Sequence, residues 1–205
     1  MTVAFVLGNG ISRRGIPLDA LRSFGTIYGC NALYREFTPD VLVATDKPIA
    51  TAIIESGYPQ QHKFYTRFKH ATDGALKLKD PYQGFSSGPN AVALAAEHGA
   101  VTIYMLGFDM GPTDSGNFNN IYADTEYYKT SNQPATFTGN WIKQIVKITK
   151  DYPRLTFVRV HGQTTADIHE FNGIPNLLKE NLAEFLDRIN NKKDFLNDHI
   201  QNHQW

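Results

Sequence analysis

The sequence predicts an α/β fold: a Rossmann-like, mostly parallel sheet with helices on both faces, in a single domain. Three observations predict it. Short runs rich in Val, Ile and Leu alternate along the chain with amphipathic segments bounded by Pro, Ser and Gly, the pattern of successive strand–helix units. No repeat, low-complexity tract or linker interrupts that alternation. The 205 residues, 41% of them hydrophobic, suffice for one sizeable core and barely for two.

Each element has its own signal. Val3–Leu7 reads as a buried strand. Pro17 opens a short helix, "PLDALRSF", which Gly25 ends. Thr26–Cys30 is a second strand, and Val41–Thr45, after the turn pair Pro39-Asp40, a third. "KPIATAIIES" is helical, with Pro48 near its start and Gly57 past its end. His62–Thr66 is a fourth strand, and Ala71–Phe85 has no clear period and reads as loop. "SSGPNAVALAAEHG" is a helix with Ser87 or Gly88 at the cap, Pro89 in the first turn and Gly99 at the end. Val101–Leu106 is a buried strand, and Asp109–Pro134 is polar, aromatic and irregular. Asn140–Tyr152 is a helix with Trp141, Ile145 and Ile148 along one stripe, and "LTFVRV" a strand. Asn176–Asn190 reads as a last helix through Leu178, Leu182, Phe185 and Ile189. Residues 1–190 thus form the expected domain, and 191–205 a polar tail.

Composition narrows the function classes. Lys+Arg and Asp+Glu are both 20, which argues against nucleic acid as the main partner. The lone cysteine, Cys30, excludes an intrachain disulfide framework and fits a reducing compartment. No run approaches the roughly 18 apolar residues of a membrane span, and no basic-then-apolar leader opens the chain. The expectation is a cytoplasmic protein, with self-association left open.

In such sheets ligands bind at the carboxyl ends of the strands, where strand order reverses. The residues there are Gly8-Asn9-Gly10, Asn31, Asp46, Gly107-Phe108-Asp109 and His161-Gly162, with Ser86-Ser87-Gly88 opening a helix at the same edge. Gly8-Asn9-Gly10 permits close backbone approach and exposed N–H donors. It lacks the spacing of a dinucleotide fingerprint and the Gly-Lys-Ser/Thr of a Walker loop. Asn31 can read a nucleobase or ribose edge, or cap a turn. Asp46 can hold a ribose hydroxyl or a metal-bound water, or cap the helix at Pro48. The two serines can seat an anion at a helix start. Among the seven histidines the one HxxxH pair, His199 and His203, lies in the polar tail, and with a single cysteine no compact zinc site is visible. Cys30, inside an apolar strand, reads as an inert thiol. Tyr122, Tyr127, Tyr128 and Lys129 lie in the irregular segment and can hold a departing phosphate or pack a lid.

"FVLGNGISRRGIPLDALRSFGTIYGCNALYREF" resembles the opening of bacterial family 42 sialyltransferases, where one strand ends in Gly-Asn-Gly-Pro-Ser and the next in an Arg-Cys-Asn type triplet. "FSSGPNAVALAAEHGAVTIYMLGFDM" resembles their Thr-Ser-Gly helix and following strand. The opening through "PDVLVATD" is also similar to archaeal 6-hydroxymethylpterin diphosphokinase-like proteins. The resemblance spans roughly the first 110 residues. It implies a nucleotide-binding domain with a nucleotide or nucleotide-sugar donor of the CMP type, met by Asn9, Asn31, Ser86, Ser87 and Gly88. It also places tyrosines from the Tyr122–Tyr128 region on the leaving phosphate.

The proline of the first motif is Ile11 here, with Ser12, Arg13 and Arg14 following. The family's histidine base has no counterpart between His98 and His161. The expected activity is a glycosyltransferase without a required cofactor, and the acceptor is undefined. His161 or Asp109 would be the base, and Arg13, Tyr122, Tyr128 and Lys129 would lie on the phosphate side. Two alternatives stand beside it. One is a diphosphokinase-like enzyme with Mg²⁺ on Asp46 and Asp109. The other is a nucleotide-binding protein without catalysis.

Overall fold

The computed structural model describes residues 2–191. The expected polar tail lies, apart from Asn191, outside the described residues.

Eight parallel strands form one sheet in the order β5-β4-β3-β2-β1-β6-β7-β8. They are β1 Val3–Leu7, β2 Thr26–Cys30, β3 Val41–Val43, β4 Phe64–Thr66, β5 Leu76–Lys77, β6 Thr102–Leu106, β7 Thr156–His161 and β8 Leu177–Asn181. The helices are α1 Leu18–Leu21, α2 Lys47–Glu55, α3 Ser87–Glu97, α4 Gly139–Asp151 and α5 Leu182–Asn190. This is the Rossmann-like α/β architecture, and none of these helices is long and apolar enough to cross a membrane.

Side chains alternate across a strand, so a strand buried on both faces reads as one continuous apolar run. All five residues of β1 are buried. Val3, Phe5 and Leu7 join Leu21, Ile49, Ile53, Phe185 and Ile189, so α1, α2 and α5 cover one face. Ala4 and Val6 join Ala91, Ala95, Ile142, Ile145 and Ile148, so α3 and α4 cover the other. Between Ala91 and Ala96 every residue of α3 is buried. Its alanines let it lie close over β1, β2, β3 and β6.

Two strands depart from the sequence expectation. β5 lies within the segment read as loop; both its residues are exposed at the sheet edge, which leaves no apolar signal. β8 occupies the first part of what reads as the final helix, pairing in parallel with β7. Leu178 sits on that edge strand, half exposed, while Leu182, Phe185 and Ile189 do belong to α5. The boundary signal is Asn181: its Oδ1 accepts from the Ala183 N–H at 2.8 Å, capping α5, with Glu184 in the first turn.

A candidate nucleotide cleft at the switch point

Chain order reverses between β1 and β6, and there the loops after the two strands diverge. A cleft of about 410 Å³ opens over these ends, within the roughly 300–1,000 Å³ common for small-molecule sites.

Its floor is the contact between two strand ends. Gly8 N–H donates to Leu106 O at 2.7 Å, and Gly10 N–H donates to Gly107 O at 2.9 Å. A Cβ on Gly8 would lie 2.6 Å from Gly107 O, and one on Gly107, where φ is 71°, 2.8 Å from Gly8 O. The glycines thus serve strand-end packing. The expectation that the turn offers its N–H groups to a phosphate is corrected for Gly8 and Gly10, because the carbonyls of Leu106 and Gly107 take both. Between them, Asn9 borders the cleft; its Nδ2 donates to Cys30 O at 3.3 Å, and its Oδ1 is buried without a partner.

Asn31, at the end of β2, lines the same cleft with a φ of 52°. Its Oδ1 accepts from Ser87 Oγ at 2.8 Å. Ser87 Oγ also accepts from the Thr45 N–H at 3.0 Å. The expected cap is therefore corrected: Ser87 is the first residue of α3, buried, and the cap position belongs to Ser86, whose side chain makes no capping bond. Ser86 N–H donates to Gln144 Oε1 at 2.9 Å. Ser86, Ser87, Gly88 and Pro89 all border the cleft. N–H groups of a helix's first turn have no intrahelical carbonyl, so this end is suited to an anion.

Asp46 stands at the cap position of α2 and makes no capping bond. It is exposed and borders the cleft. Asp109 also borders it, but its carboxylate is surrounded. Oδ2 accepts from Ser12 N–H at 3.0 Å and Thr164 Oγ1 at 2.7 Å, and Oδ1 accepts from Ser12 Oγ and from Thr165 Oγ1 at 3.0 Å. Four donors occupy it, so Asp109 organises the loop and is not free as a base.

Ser12, engaged by Asp109, is not among the lining residues, and neither are Arg13, Tyr122 and His161. Arg13 is buried and donates through Nε to Gly8 O at 2.8 Å. Tyr122 is buried and donates to Glu36 Oε1 at 2.5 Å. His161 Nε2 lies 3.4 Å from Arg159 Nη1. Burial first, then Arg159, pushes the imidazole down to about 4, so it is neutral at pH 7. Its absence from the cleft lining sets it against the role of base.

The segment after β6 folds back as a fixed wall. Ile121 N–H donates to Asn9 O at 2.8 Å, and Ile11 N–H to Asn119 Oδ1 at 2.9 Å. Tyr127, Tyr128 and Lys129 border the cleft. Tyr128 Oη accepts from the Ala32 N–H at 3.3 Å, leaving its own proton to donate, and burial raises its pKa to about 12. Lys129 Nζ stands 5.8 Å from the Phe118 ring centre.

Several cleft residues escaped the sequence reading. Met110, Phe118 and Trp141 join Phe108, which was expected at this edge, in an apolar wall. Beneath it, buried Arg159 donates to Phe108 O and Asp109 O, each at 2.9 Å, and to Ala166 O at 2.8 Å. That buried guanidinium fixes the loop after β6, and desolvation lowers its pKa to about 10. Cys30 borders the cleft with a thiol pushed up to about 12 by burial, an inert state. Of the five non-glycine residues with positive φ among the described residues, Asn31, Met110 and Tyr127 line the cleft. Such backbone costs about 1–3 kcal/mol each and clusters at functional sites.

Magnesium on Asp46 and Asp109 does not fit. The Asp109 oxygens are taken by four donors, which leaves Asp46 as the one open carboxylate of the pair.

No protein-family model and no curated protein matches the chain. Solved structures of the sialyltransferase CstII from Campylobacter jejuni are similar to it. The complex with cytidine-5'-monophosphate covers 78% of this chain and 79% of its own, at 16% identity and TM-score 0.44. The complex with CMP-3FNeuAc covers 78% and 81%, at 16% and 0.47. A tyrosine-to-phenylalanine variant of CstII with CMP covers 93% and 98%, at 13% identity and TM-score 0.46.

Proposed function

We propose that this protein is a nucleotide-dependent glycosyltransferase whose donor is a nucleotide-activated sugar of the CMP type. The observation that carries the reading is the start of α3. An uncapped helix N-terminus opens into one cleft together with Asn9 and Asn31. The asparagines supply amide groups for the nucleoside, and the buried, unpartnered Asn9 Oδ1 is an acceptor awaiting a donor. The helix start, Tyr128 and Lys129 supply charge or hydrogen bonds for a phosphate. Those groups would also stabilise the charge that grows on the phosphate as the sugar leaves. The motifs of the first 110 residues or so support a CMP-type donor.

Thermal shift with CMP, UMP, GDP and ATP, each with Mg²⁺ or EDTA, tests the reading. CMP is expected to stabilise in EDTA, by about 2.7 kcal/mol at 100 times its dissociation constant. A response to ATP alone, dependent on Mg²⁺, would favour the diphosphokinase alternative. No response to any nucleotide would dismiss the cleft as a nucleotide site.

A further inference from the structure

Transfer of a sugar to a hydroxyl requires a group to take the hydroxyl's proton. The two residues expected in that role are committed elsewhere: Asp109 is held by four donors, and His161 lies outside the cleft. The other ionisable side chains bordering the cleft among the described residues are Cys30, Asp46, Tyr127, Tyr128 and Lys129. Cys30 is a buried thiol, burial raises the Tyr128 phenol to about 12, the Tyr127 phenol is raised by its hydrogen bond to Glu126, and a lysine side chain offers donors only. Asp46 alone in this set is an exposed carboxylate without a capping bond.

The Ser87 hydroxyl holds Thr45 N–H at 3.0 Å, which sets the segment after β3 against the start of α3. Asp46 is the next residue and borders the same cleft as that helix start.

We propose that Asp46 is the proton acceptor of the transfer step; this rests on the nucleotide-sugar reading above. The acceptor oxygen forms a bond to the anomeric carbon as the bond from that carbon to the phosphate oxygen breaks. The electron pair of the broken bond leaves with CMP. The hydroxyl proton passes to the Asp46 carboxylate.

The test measures CMP release from CMP-N-acetylneuraminate, with water and with lactose as acceptor probes, in EDTA. Asp46→Asn keeps the size of the side chain and removes the base. It is expected to lower turnover about 100-fold or more while CMP affinity and melting temperature hold. Sodium formate is expected to restore part of the turnover of Asp46→Ala by supplying the missing carboxylate. Turnover of Asp46→Asn within threefold of the unaltered chain would overturn the assignment and leave the transferase reading intact. Loss of turnover in EDTA, restored by Mg²⁺, would also overturn it, by making Asp46 a metal ligand. No CMP release from CMP-N-acetylneuraminate by the unaltered chain, with either acceptor, would overturn the transferase reading itself, even if CMP binds.

Discussion

Arg13 Nη2 lies 3.2 Å from Tyr122 Oη and 3.2 Å from Glu36 Oε1, so one buried guanidinium joins the turn after β1 to a residue 109 positions later. The same guanidinium, through Nε, holds Gly8 O. This ties the cleft wall to the cleft floor from behind. Tyr122 and Tyr128 sit with ring centres 5.6 Å apart, yet only Tyr128 borders the cleft. Tyr122→Phe is expected to cost about 1–2 kcal/mol in urea unfolding, through the lost bonds to Glu36 and Arg13, and to leave CMP affinity within twofold. Tyr128→Phe is expected to weaken CMP about tenfold by calorimetry, the loss of one hydrogen bond to a charged group. The reverse pattern would place the phosphate on the other tyrosine.

Ser87 and Ser86 separate in the same manner. Ser87→Ala leaves the Thr45 N–H and Asn31 Oδ1 without their partner. A buried donor left unsatisfied costs about 1–3 kcal/mol, and a loosened Asn31 should weaken CMP as well. Ser86→Ala, with no capping bond to lose, should stay within about 0.5 kcal/mol. Equal losses in urea titrations of the two variants would contradict these contacts.

Gly107 and Gly99 both have positive φ, 71° and 89°. A Cβ at Gly107 meets Gly8 O at 2.8 Å, whereas at Gly99 nothing lies within 4 Å. Gly99→Ala should therefore cost only backbone strain, about 1 kcal/mol. Gly107→Ala adds a clash between two strand ends and should cost more than about 2 kcal/mol, with CMP binding reduced. Chemical denaturation of the pair measures the packing term by difference.

His161 gives the fold a defined pH response. Its folded pKa, about 4, lies below the ordinary 6.5 because burial and Arg159 disfavour the imidazolium. The unfolded chain therefore binds this proton first as pH falls. The contribution is fully present above pH 6.5 and is lost between 6.5 and 4, roughly 3 kcal/mol in all. In His161→Asn the fall in unfolding free energy across that window should be shallower by about that amount. Identical slopes would mean that the imidazole is solvated in the folded state.

Much of the fold is legible in the sequence because its central elements are buried on both faces or carry boundary residues. Val3–Leu7 shows no polar break, for the reason that helices cover both sides of it. Pro48, Pro89, Gly57 and Gly99 mark helix limits through φ and the missing N–H, which are local properties. The edge strands β5 and β8 were not legible: both residues of β5 are exposed, and β8 shows no clean alternation of burial while Leu178 falls on the helical spacing of α5.

The same division runs through the cleft. The sequence alone determined that Asn9, Asn31, Asp46, Ser87 and Asp109 fall at strand ends or a helix start, and the parallel topology that follows from the strand–helix alternation puts those ends on one edge. Only the tertiary structure decided which of them are free. Asp109 is filled by Ser12, Thr164 and Thr165, partners 55 to 97 positions away. Arg13 is turned under the floor by Glu36 and Tyr122, and Asp46 is left open to solvent. A residue's type fixes what bonds it can make; whether those bonds are already made depends on groups distant in the chain, and only folding brings them within hydrogen-bonding distance.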